Sequence, residues 1–116
     1  MELEITTKEE DEYILLAVKS VLSIETINSL EMVLSKYVNE KKHIFIDLSG
    51  ITFIDSSSLG ILVIFNARLE KINKRLVLLN MGSYIMTIFE STGLDKHIRI
   101  FDDITSAIND LGLNKG

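Results

Sequence analysis

Cysteine and proline are both absent from this 116-residue chain. The first absence excludes disulfides, thiolate metal sites and thiol redox chemistry. The second removes the strongest breaker, so Gly, Asn and Asp must punctuate the chain. Long apolar runs are missing too. Stretches such as ILVIF at 61–65 fall far short of the roughly 20 residues a membrane-spanning helix needs, so no membrane partner is expected. Positive charge is scarce: 12 Lys and Arg stand against 17 Asp and Glu, a formal net charge of −5. A nucleic-acid partner calls for a basic face, and the nearest approach to one, Lys71, Lys74 and Arg75, reads as a solvated helix end whose charges suit a helix C-terminus. The opening MELEITTKEEDEY is acidic where a secretory signal is basic and then apolar, which makes cytoplasmic localisation the expectation. What is present is a foldable balance, 47% apolar and 25% charged, without internal repeats or a linker. One domain over 1–116 is expected.

Local pattern then orders the elements. Residues 3–7 alternate as a short edge strand, and the polar KEEDE stretch turns the chain into a second strand at 13–18. Apolar groups at Ile24, Ile27, Leu30, Val33, Leu34 and Tyr37 follow helical spacing over 24–38, with Ser23 as the N-cap. HIFIDL at 43–48 reads as a buried strand, Ser49-Gly50 as a turn, and 51–54 as a short run reaching three serines. A helix is predicted from Ser57 to about Lys74. A strand follows at 75–79, then a short helix at 83–91 closed by Thr92-Gly93. A strand at 98–101 and a last helix capped by Asp102 or Asp103, with Ile104, Ala107, Ile108 and Leu111 as its stripe, complete the chain. The fold class is α/β, a mixed and mostly parallel sheet in the order β-β-α-β-α-β-α-β-α.

The chemistry concentrates at FIDSSSLGILVIF, 53–65. Three hydroxyls, Ser56, Ser57 and Ser58, follow Asp55 where a strand meets a helix; they either start that helix or include a working group. At about 100° per residue, Leu62, Phe65, Leu69 and Ile72 share the core face of the helix. Ser57, Gly60, Ile64 and Lys71 then lie opposite, and an exposed Ile64 beside a small Gly60 makes a docking patch. A phosphate at a helix start meets favourable N–H groups and adds roughly −1.5 to −2 charge, so it alters the surface more than the fold. Asp47 and Asp55 could share a Mg²⁺, but acids at strand ends more often cap turns, and no metal or cofactor is assigned. No Gly-x-Ser-x-Gly elbow or neighbouring base supports Ser57 as a hydrolase nucleophile. His43 and His97 read as surface histidines, Met81 and Met86 as core filling. No catalytic residue is assigned.

The segment HIFIDLSGITFIDSSSLGILVIFNARL resembles the phosphorylatable segment of STAS-domain anti-sigma-factor antagonists, and STGLDKHIRIFDDITSAI at 91–108 resembles that family's closing segment. The family pattern is an apolar strand, Asp-Leu-Ser, then Phe-x-Asp-Ser-Ser-Gly-Leu-Gly and an apolar helix. Asp47, Leu48, Asp55, Ser56, Leu59 and Gly60 match it. Ser57 takes the place of the serine phosphorylated by the partner kinase, and Ser58 stands where the family has glycine. The resemblance implies a STAS domain that binds an anti-sigma factor with serine kinase activity, frees the sigma factor, and is switched off by phosphorylation of Ser57. It also implies a separate serine phosphatase that resets the switch. Asp55, Ser56, Ser57, Ser58, Gly60 and Ile64 form the expected partner-binding set. The alternatives are a STAS subunit of another assembly, in stress signalling or lipid transport, and a receiver-like phosphoacceptor domain.

Overall fold

Period-two alternation at the N-terminus builds a hairpin, and the strand-helix alternation after it builds a parallel sheet. In the computed structural model, which describes residues 2–113, β1 (Glu4–Glu9) pairs antiparallel with β2 (Tyr13–Leu22). Helix α1 (Ile27–Asn39) crosses to β3 (His43–Ile54), and α2 (Ser56–Lys71) crosses to β4 (Leu76–Leu79). Helix α3 (Ser83–Thr92) and a 3₁₀ turn at Leu94–Lys96 lead to β5 (Arg99–Phe101), and α4 (Ile104–Leu111) follows. The expected element order stands. The 3₁₀ turn is the one addition.

The sheet order is β1-β2-β3-β4-β5, with β2 to β5 parallel. Each parallel strand is therefore added on the same side of the last, so right-handed crossovers carry α1, α2 and α3 to one face. Their shared core includes Ile14, Leu16, Leu30, Leu34, Ile46, Leu48, Leu62, Phe65 and Phe89, all at most 1% exposed. The alternate strand residues Tyr13, Phe45, Val77 and Leu79 point to the other face, where Ala107 and Ile108 of α4 cover them. The Tyr13 and Phe45 rings stack there at 5.0 Å. Burying each such side chain contributes about 1.5–3 kcal/mol. The receiver-like alternative fails on this order, because flavodoxin-like receivers place β1 inside the sheet, as 2-1-3-4-5.

Several boundaries differ from the sequence reading, three of them for reasons visible in the structure. Ser49-Gly50 does not turn: β3 runs through it, bulging so that β2 residues Ala17, Lys19, Ser20 and Val21 face Asp47, Gly50, Ile51 and Phe53. Gly50 is required there, since a Cβ would stand 2.6 Å from Lys19 Cγ and 2.9 Å from the Val18 carbonyl oxygen. Ser23 is not the cap of α1; it sits in a turn whose carbonyl accepts the Thr26 and Ile27 N–H groups. Thr26 takes the N-cap position. Helix α2 starts at Ser56, one residue early, because Asp55 caps it. Asp103 caps α4 through the Ser106 N–H at 2.8 Å, and Gly93 closes α3 in the left-handed region at φ 78°, both as expected.

Candidate functional site

Asp55 organises the serine junction. Its backbone is extended as β3 ends, and its Oδ1 accepts the Ser58 N–H at 2.9 Å, filling one of the orphan donors at the start of α2. Its Oδ2 accepts the Ile24 N–H, also at 2.9 Å, so one carboxylate ties the β2–α1 connection to the head of α2. Partial burial pushes the Asp55 pKa up, but the Ser58 and Ile24 donors outweigh it and hold the carboxyl below its ordinary value. Asp47 is spent similarly: its Oδ1 accepts the Ser49 N–H at 2.9 Å and its Oδ2 the Asn80 side-chain amide at 3.0 Å. Asp55 thus caps a helix, while Asp47, inside β3, ties the bulged strand to Asn80 after β4. Among the described residues, no group of three or more His, Cys, Asp or Glu is placed to hold a metal ion.

The three serines divide by helical phase. Ser56 and Ser57 are exposed. Ser58 is fully buried, and its hydroxyl has no hydrogen-bond partner among the described residues. Gly60 and Ile64 share the outer face with Ser57, Ile64 at 47% exposure. The expected partner-binding set therefore loses Ser58, which faces the core and has no surface to offer. The signal for this was in the chain: Ser58 lies four residues before Leu62, on the same stripe as Phe65 and Leu69, all buried.

Ile24, Phe53 and Val63 are exposed apolar side chains as well, at 67%, 45% and 40%. Ile24 was assigned to the stripe of α1, but that helix begins three residues later and Ile24 stays in the turn that Asp55 holds. Ile64, exposed on the same helix face as Ser57 and Gly60, is the kind of exposed apolar side chain that marks a docking site. The histidines offer the serines no general base. His43 begins β3, at the far end of the strand from Asp55, and it is buried rather than on the surface as expected. His97 is exposed, next to the C-terminal half of α2, where its carbonyl accepts the Asn66 amide at 3.2 Å.

The STAS-domain family model matches residues 4–107, most of the chain. The chain belongs to the STAS-domain family. This STAS domain is 30% identical over 95 residues to the anti-sigma-B factor antagonist of Staphylococcus aureus, covering 81% of the chain and 88% of that protein. A crystal structure from Thermotoga maritima, of a protein proposed to be an anti-sigma factor antagonist, superposes with a TM-score of 0.84 at 26% identity, over 91% of this chain and 92% of that one. The phosphorylated form of the Bacillus cell fate determinant SpoIIAA superposes with a TM-score of 0.70 at 18% identity, over 93% and 99%. At that identity the likeness is one of fold. No helix of the STAS domain is long and apolar enough, among the described residues, to cross a membrane.

Proposed function

We propose that this STAS domain is a cytoplasmic anti-sigma factor antagonist, a binding regulator rather than an enzyme. Its unmodified form docks an anti-sigma factor that is also a serine kinase, which frees the sigma factor. Phosphorylation of Ser57 ends the docking, and a serine phosphatase restores it. One observation carries the reading: Ser57 is exposed on the same helix face as Gly60 and Ile64, while the groups that hold the helix start, Asp55 and buried Ser58, lie elsewhere. A dianionic group on Ser57 then changes the docking face without removing a structural contact. It adds roughly −1.5 to −2 charge beside Asp55, which repels a partner that accepted a neutral hydroxyl. The relatives named as antagonists support the partner class, and a protein of the same fold is known in a phosphorylated form.

The test is binding of the anti-sigma factor kinase to native chain, Ser57→Asp and Ile64→Asp, with a melting curve for each. Both substitutions should weaken binding at least tenfold and leave the melting temperature within a few degrees, because each lies on an exposed helix face. A Ser57→Asp protein that binds as tightly as the native chain contradicts the proposal.

A further inference from the structure

His43 stands outside the serine junction and outside the proposed switch, yet it closes the crossover that carries Ser57. It is the first residue of β3, opposite Tyr13 of β2, and it is 9% exposed. Its backbone N–H donates to the Glu12 carbonyl at 3.0 Å, in the β1–β2 turn. Its ring Nδ1 accepts the Arg75 backbone N–H at 3.0 Å. The next residue returns the connection: the Ile44 N–H donates to the Arg75 carbonyl, also at 3.0 Å. Arg75 lies between the end of α2 and the start of β4, so the imidazole takes up the N–H that begins the β3–β4 pairing.

A ring nitrogen that accepts a backbone N–H carries no proton of its own, which fixes His43 as the neutral tautomer protonated on Nε2. A second proton on Nδ1 sets two donors against each other and leaves the Arg75 N–H without an acceptor in a partly buried position. The charged groups facing the ring also oppose protonation. Lys74 and Arg75, from the α2–β4 connection, are cations; Glu12, from the β1–β2 turn, is the one acid that favours the charged form. Tyr13 stands opposite on β2, and Leu76 and Val77 open β4 with apolar side chains. The adjacent Lys42 is engaged with Glu9 at 2.9 Å. Burial first, then Lys74 and Arg75, hold the imidazole below the ordinary histidine pKa.

We propose that His43 is an acid-sensitive latch, which when neutral ties the far end of the α2 crossover to the start of β3 and which lets go on protonation. The sign follows from linkage. Because the folded ring is the harder one to protonate, the latch contributes fully above the unfolded value of about 6.5. Its contribution is lost as pH falls from there through the folded-state pKa.

Proton NMR of the intact protein should show His43 titrating below the ordinary histidine value of about 6.5. The Arg75 amide resonance should move along the His43 titration curve, and its exchange with solvent should quicken as His43 charges. His43→Asn keeps an acceptor oxygen near the place of Nδ1 but cannot titrate. Between about pH 7 and about pH 5 its melting temperature should stay flat where that of the native chain falls. Should this variant not fold, the native titration decides alone. A His43 that titrates at or above the ordinary histidine value of about 6.5, or an Arg75 amide indifferent to the protonation of His43, overturns the latch.

Discussion

A single carboxylate, that of Asp55, receives backbone N–H groups from two different elements, Ile24 before α1 and Ser58 within α2. Asp55→Ala leaves both donors without their acceptor, and the loss expected is about 1–2 kcal/mol, or roughly 5 °C in melting temperature; a urea titration measures it. Asp103, capping α4 through Ser106, is likewise held below its ordinary pKa by that backbone bond. For both acids the folded state favours the ionised form, so this stability is present above about pH 4 and is lost as pH falls through the folded-state pKa. The neighbouring serines respond in opposite senses. Ser58→Ala removes a buried hydroxyl that has no partner and adds a better helix former, so stability should hold or rise. A fall of more than about 1 kcal/mol in the urea titration would show that the hydroxyl is engaged. Both directions were readable from the helical phase, since Ser57 falls opposite Leu62 and Ser58 falls in line with it.

At the scale of the element, β3 shows where local reading stops. Ser49-Gly50 is a good turn dipeptide by local chemistry, yet β2 extends to Leu22 beside it and holds the chain in the sheet. The three core residues Leu48, Ile51 and Ile54 are spaced by three, which does not fit strand alternation. Two bulges reconcile them, and bulges depend on the partner strand, which one strand's sequence does not reveal. Gly50→Ala should cost about 1–3 kcal/mol, because the new Cβ meets the Val18 carbonyl, backbone that cannot swing aside. Unchanged stability in a denaturant titration would mean that β2 and β3 are not this close. The ends set by local chemistry were legible: Gly93 after α3 and Asp103 before α4 act within a few residues of themselves.

Across the whole molecule, the order of elements and the largely parallel sheet could be read from pattern, whereas the layers could not. The stripe of α4 was visible in Ile104, Ala107 and Ile108, but its landing place on Tyr13, Phe45, Val77 and Leu79 follows only from the strand order. That order sends three helices to one face and leaves the second to α4. It also brings the β2–α1 connection to the head of α2, where the Asp55 carboxylate accepts the Ile24 N–H. Ser57 lies in that first turn of α2, and the account stands or falls on that hydroxyl being the one modified. Phosphorylation of the intact chain by its anti-sigma factor kinase, with the site mapped by fragmentation mass spectrometry, tests this most directly. The account predicts phosphate on Ser57 and none in Ser57→Ala, with Ser58→Gly still modified. Phosphate on Ser56 or Ser58 that persists undiminished in Ser57→Ala would contradict it.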